Sequence, residues 1–201
     1  MKKIILAILV LTISVNAVSC KKKTTKENIT TQGFTVDPNK SEMNWTAYKT
    51  TAKVPVKGKF TQLTILNHKV GKTYAEALNG TEFSIPVSSI FSNNADRDHK
   101  LKTMFFGVMK NTSILSGVIH ISDANTGYVD FSMNAVIEKL DFSYTTTDKS
   151  IEIKAIMNTD NWQAQAAIES INTTCFELHK GADGISKTWS DVAIDLKVYF
   201  K

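Results

Sequence analysis

The chain has 201 residues, with 24 Lys and Arg against 19 Asp and Glu, a formal charge of +5 and 42% hydrophobic residues. So small an excess of positive charge gives no nucleic-acid footprint, and two cysteines, Cys20 and Cys175, are too few for a disulfide-stapled scaffold. Stability must come from a hydrophobic core, and the length suffices for a single one.

Residues 1–23, MKKIILAILVLTISVNAVSCKKK, begin with Lys2 and Lys3, followed by an apolar run from Ile4 to Val15 and small residues ahead of a cysteine. The run is shorter than the roughly 20 apolar residues that span a bilayer as a helix, so it reads as the hydrophobic region of an export signal. Ala17-Val18-Ser19-Cys20 resembles a bacterial lipobox, although Ala17 stands where leucine is commonest. The expectation is a leader over 1–19 that is removed, and a mature chain whose Cys20 carries acyl chains. Two or three such chains anchor a protein stably, so the protein is expected at a membrane surface of the bacterial cell envelope. Lys21, Lys22 and Lys23 add attraction to an anionic leaflet. They lack the acidic run associated with surface-displayed lipoproteins, which points to the outer membrane facing the periplasm.

Residues 20–33 form the lipidated cysteine and a tether, because KKKTTKENITTQG has one large apolar residue, Ile29, and cannot offset its ordering entropy by burial. From Phe34 to Lys201 the pattern changes to that of one domain. Met43, Trp45 and Ala47 alternate with polar neighbours, Val54, Val56, Gly58 and Phe60 follow, then Phe83, Ile85 and Val87. Gly58 could permit a bend. Ser113–Ser122 is a strand of uncertain facing. Tyr128–Lys139 reads as one strand with Val129, Phe131, Met133, Ala135 and Ile137 on its apolar face. Leu140-Phe142-Tyr144, Ile151-Ile153-Ala155 and Val192-Ile194-Leu196-Val198-Phe200 repeat the period of two. About eight antiparallel strands with one apolar face must close on themselves or pack on a second sheet.

Three segments break the alternation: Tyr74–Leu78, Asn94–Met109 and Trp162–His179. Each is a candidate helix. In the second, Leu101, Met104, Phe105 and Val108 have helical spacing, Ser92 or Asn93 is placed to cap its start, and Asp98 with Lys102 forms an i,i+4 pair. The predicted architecture is mainly β, with a helix across one end and further short helices.

With this order of elements, the successive motifs Val36-Asp37-Pro38 with Ser41 and Trp45, Val56-Lys57-Gly58-Lys59-Phe60, and Ser89-Ile90 with Arg97-Asp98, Leu101 and Phe105-Phe106 resemble the YceI-like family, also called the polyisoprenoid-binding, lipocalin-like family, over roughly Phe34 to Phe200. The opening Val36-Asp37-Pro38 with Ser41 and Trp45 is similar to the family's first strand. Val56-Lys57-Gly58-Lys59-Phe60 is similar to its V-x-G-x-F strand. Ser89-Ile90, Arg97-Asp98, Leu101 and Phe105-Phe106 together resemble its most specific signature. The chain departs where a proline is expected near Lys110–Thr112, and Asn161–Lys187 is longer and more helical than the family's final hairpin, so it is placed to cover or narrow a barrel mouth. The resemblance implies an extended eight-stranded antiparallel barrel holding a polyisoprenoid, an isoprenoid quinone or a fatty-acid derivative. An eight-stranded barrel either fills with its own side chains or encloses one small ligand. The residues expected to line or fill it are Trp45, Phe60, Phe83, Ile85, Phe131, Met133, Phe142, Ile153 and Leu196, with Phe105 and Phe106 as a lid. Arg97 and Asp98 are either a polar gate for a head group or simply the polar start of a helix.

Cys175 and His179 lie four apart, a spacing compatible with a thiolate–imidazole pair or half a metal site, but nothing supplies an oxyanion site or a third group. His68, His99 and His120 are scattered, and no Gly-rich phosphate loop, H-E-x-x-H, C-x-x-C or G-x-S-x-G occurs. The expectation is therefore a non-enzymatic protein without metal or cofactor, whose partners are an apolar lipid and a membrane and not nucleic acid. The alternative is a filled, ligand-free barrel serving as an envelope-stress or protein-interaction module. The first prediction concerns the anchor: mass spectrometry of detergent-extracted protein should find acyl mass on Cys20, and Cys20→Ala should move the protein out of the membrane fraction.

Overall fold

The computed structural model describes residues 33–67 and 69–201, so the leader, Cys20 and His68 lie outside the described residues. Ten strands occur among the described residues: β1 (Val36–Lys49), β2 (Val54–Phe60), β3 (Thr64–Ile65), β4 (Glu82–Pro86), β5 (Ile90–Phe91), β6 (Ile114–Ile121), β7 (Thr126–Met133), β8 (Val136–Thr146), β9 (Ser150–Asn158) and β10 (Thr188–Phe200). The helices are α1 (Tyr74–Leu78), α2 (Ala95–Lys100), α3 (Gln165–Thr174) and α4 (Phe176–His179). The eight long strands match the expected count, and the two-residue strands β3 and β5 raise it to ten.

All pairings are antiparallel, in the order β3-β4-β6-β7-β8-β9-β10-β1-β2-β5. The sheet curls because β4, next to β3 at one end of this order, and β5, at the other end, are consecutive in the chain. They are joined by a single 3-10 turn, Val87–Ser89. Residues 82–91 therefore behave as one bent strand that pairs with β6 through its first half and with β2 through its second. Hydrogen bonds from Val87 N to Ser113 O at 3.0 Å and from Thr61 N to Ser89 O at 2.9 Å carry both pairings into the bend. The ring is completed by the chain itself, and its inner wall holds the core.

The alternation seen in the sequence sets that wall. Along β7 and β9, Val129, Phe131, Met133, Ile151, Ile153, Ala155 and Met157 are buried. The Val36-Asp37-Pro38…Ser41 motif acquires a physical meaning in β1: Asp37 pairs with Tyr199 and Glu42 with Lys197, so β1 carries a bulge of extra residues there. Pro38 sits in that bulge, where a missing N–H interrupts no ladder. The Asp37 carboxylate accepts from Asn39 N and the Ser41 hydroxyl donates to Asp37 O, which holds the loop shut.

Gly58 does not bend its strand. It lies opposite Trp45 in an unbroken β1–β2 register, and a Cβ there would fall 2.2 Å from the indole ring. The glycine is a seat for Trp45. At the other end of the ring, Tyr74 of α1 stacks on Phe200 and meets the edge of Phe34, closing the floor. Helices therefore sit at both ends.

One expected strand is two. Tyr128–Lys139 breaks at Asn134 and Ala135, which have φ of 54° and 58° and join β7 to β8 in a two-residue hairpin, Met133 pairing with Val136. The reversal carries Ile137 out of the barrel, where it is 69% exposed, and leaves Ala135 exposed too. Turns of this type favour Asn-Gly, so an alanine gives no sequence signal and is held in the left-handed region at a cost of roughly 1–2 kcal/mol. Ala135→Gly should accordingly raise stability by about 1 kcal/mol in equilibrium denaturation.

Candidate functional site

The mouth of the barrel is built from the segment after β5. Neither Ser92 nor Asn93 caps α2; Asn94 does, its side-chain oxygen accepting from Arg97 N at 2.9 Å. Asn93 instead takes a φ of 58°. Ser92 donates through both its N–H (2.8 Å) and its hydroxyl (2.6 Å) to Asp98, which is buried. Asp98 therefore ties the helix to the strand before it and forms no ion pair with Lys102; the pair that forms is Lys100 with Asp96 at 2.7 Å. Beyond Lys100 the helix widens into a π-helical turn, Leu101–Phe105, closed by Phe106 N to Leu101 O, and then tightens into a 3-10 turn. This change of pitch turns Leu101, Phe105 and Phe106 toward the barrel interior and leaves Met104 and Val108 exposed. The two phenylalanine rings meet edge to face at 4.9 Å.

The second part of the cap is Asn161–Lys187. Trp162 is fully buried, and its indole N–H donates to Phe131 O at 2.8 Å, pinning the segment to β7. α3 faces the interior with Ile168 and Ile171. Cys175 is the joint between α3 and α4, not a position within one continuous helix. Burial pushes its thiol up, away from the reactive thiolate. His179 does not pair with it: His179 Nδ1 lies 2.7 Å from the Thr188 hydroxyl, which itself donates to Asn172 Oδ1 at 3.0 Å. No cluster of three or more potential metal ligands occurs among the described residues.

Under this cap lies a chamber of about 280 Å³. Trp45, Phe60, Phe131 and Met133 line it, as do Arg97, Phe105 and Phe106. A second, smaller chamber of about 60 Å³ lies deeper, lined by Phe83, Phe142, Ile153 and Leu196 and floored by Leu78 of α1. Four residues, Met43, Phe131, Met157 and Ile194, line both chambers and form a waist between them. The sequence candidates thus divide into two groups. Ile85 and Asp98 belong to neither, Ile85 being sealed in the wall at 0% exposure.

Several lining residues escaped the sequence reading. Met157 continues the Ile151-Ile153-Ala155 alternation and could have been found from it. Ile168, Ile171 and Leu178 reach the chamber only through the fold of the cap, and Trp189 lines it from the start of β10. Polar groups on the chamber wall concentrate at the mouth: Lys49, Asn94, Asp96, Arg97, Lys100, His179 and Thr188.

A curled antiparallel sheet enclosing an apolar chamber beneath a helical cap is the architecture of lipocalin-like barrels. Residues 34–200 match the YceI-like domain, and the chain belongs to the YceI-like family. Two similar solved structures are a polyisoprenoid-binding domain from Saccharophagus degradans implicated in plant cell wall breakdown and BcnA from Burkholderia cenocepacia. The first has a TM-score of 0.59 and 12% identity over 84% of this chain and 98% of its own. The second has a TM-score of 0.54 and 14% identity over 81% of this chain and 98% of its own. At such identities the likeness is one of fold. No curated protein matches the sequence.

His179 gives this site a pH signature. Burial, aided by the charges of Lys49 and Lys100, lowers its pKa to about 4. The unfolded chain therefore binds more protons than the folded one between about pH 6.5 and 4. Its contribution is present above about pH 6.5 and lost as pH falls through 4. Because the ring is only half-buried, the loss should be about 1–2 kcal/mol, less than the full shift would give. Denaturation midpoints of His179→Asn should fall less between pH 7 and 4 than those of the unaltered protein.

Proposed function

We propose that this protein is a binding or carrier lipoprotein that holds a long apolar ligand, a polyisoprenoid, an isoprenoid quinone or a fatty-acid derivative, inside its barrel. The observation that carries this reading is the 280 Å³ chamber, with apolar walls and polar groups gathered at one end. That distribution suits an amphiphile, since burial of a tail contributes about 25 cal/mol per Å² while a polar head needs hydrogen-bonding partners. The polyisoprenoid-binding domain of Saccharophagus degradans, which shares the fold, supports the same reading. The leader, the lipobox and the three lysines after Cys20 support placement on the bacterial envelope facing the periplasm, where a carrier would shield an insoluble tail from water.

Size constrains the ligand. An apolar cavity of about 150 Å³ accepts benzene, so the upper chamber takes about a dozen heavy atoms. A longer tail must pass the waist, where two of the four residues are methionines, unbranched side chains that repack easily. The small lower chamber favours a second reading, in which the barrel is filled and acts as an interaction module. Organic extraction of purified protein followed by mass spectrometry separates the two. The carrier reading expects a co-purified long-chain compound and thermal protection by added chains, with affinity rising about fourfold per methylene while the tail stays inside. Absence of bound compound together with absence of protection by any isoprenoid or fatty acid would establish the filled barrel.

A further inference from the structure

We propose that the ligand carries an anionic head group, a carboxylate or a phosphate monoester, held at the chamber mouth by Arg97, Lys49 and Lys100. This rests on reading the chamber as a binding site and adds the chemistry of the ligand's polar end.

The mouth is unbalanced in charge. Three cations line the chamber there against one carboxylate, Asp96. Asp96 is engaged by Lys100 at 2.7 Å. Lys49, the last residue of β1, gives one N–H to Leu178 O at 2.8 Å and meets no carboxylate among the described residues. Arg97 makes no side-chain hydrogen bond or ion pair among them; only its backbone is used, its N–H donating to the N-cap Asn94 and its carbonyl accepting from Leu101 N. Other lysines at this end have different engagements, Lys53 and Lys187 lying over the Trp189 ring at 4.3 and 3.8 Å. Two cations are thus left without a counter-charge at the edge of an apolar cavity, where water screens them less than on an open surface.

A neutral head group would leave that field uncompensated. A carboxylate or phosphate would compensate it, and the fork of Arg97 offers either anion two parallel donors. The groups around His179 register the same field. Lys49 from β1 and Lys100 from α2 both hold the imidazole toward its neutral form, while Asp96 opposes them at the neighbouring Cys175. The histidine adds no charge of its own at neutral pH, so it reports any anion that arrives.

The full chain, held in nanodiscs of a zwitterionic lipid with empty nanodiscs as control, should be titrated with decanoate, decyl phosphate and decanol. These have heads of different charge on a tail short enough for the upper chamber. Either anion should bind about tenfold or more tightly than decanol. It should also raise the pKa of His179, followed by NMR, from about 4 toward its ordinary range, whereas decanol should leave it in place. The tighter of the two anions identifies the head as carboxylate or phosphate. Arg97→Gln, which keeps the backbone contact to Asn94, and Lys49→Gln should each reduce the preference for anions over decanol. Equal affinities for all three compounds with no movement of His179 would overturn the anionic head group and leave the carrier reading standing. Failure of all three to bind would overturn the anionic head group, and, joined by the absence of co-purified compound and of protection by any isoprenoid or fatty acid, the carrier reading as well.

Discussion

Closure of the ring by residues 82–91 is the constraint on which the rest depends. An antiparallel sheet with one apolar face is unstable while its edges are free. Here one segment satisfies two neighbours in succession, β6 before the Val87–Ser89 turn and β2 after it. The bend has a functional by-product. It releases the chain at Ser92, directly at the open end of the ring, and the Ser92–Asp98 hydrogen bonds then hold α2 across that opening. The signature around Arg97 and Asp98 thereby joins a structural anchor to a side chain at the cavity. Asp98 is spent on the fold. Arg97 is left for the chamber.

Much of the barrel was legible because period-two alternation is a direct trace of a wall with one wet and one dry face. β7 and β9 declare themselves in this way, and the paired phenylalanines of the cap could be recognised from their signature. What failed has local physical causes. Ala135 occupies a left-handed turn position without the glycine that normally advertises it, so Ile137 was assigned to the wrong face. Asn94, Asn93 and Ser92 are all cap-competent residue types, and backbone geometry alone selects among them. The upper chamber was the least legible feature. Its walls come partly from α3 and β10, elements far apart in the sequence, with the cap pinned to β7 by the Trp162 hydrogen bond to Phe131.

The interior is neither an empty tunnel nor a solid core. Side chains that read alike in the sequence have opposite fates: Phe60 and Met133 border open space, while Phe83 and Phe142 crowd the lower chamber. Position along the barrel axis decides this, not hydrophobicity. Towards the floor, α1 brings Leu78 and Tyr74 into the ring, whereas at the mouth the cap spans the opening with a polar rim.

The π-helical turn at Leu101–Phe105 bears on how this part of the chain can vary. A π turn holds one residue more than an α turn, and such turns are recurrently placed at functional sites. Removing a single residue from it would restore the ordinary helical repeat and rotate everything downstream by about 100°. Phe106 would then swing away from the chamber while its chemical identity stayed the same. The length of this short segment is therefore as consequential as its composition: substitutions there can be conservative, but an insertion or deletion of one residue re-aims the roof of the barrel.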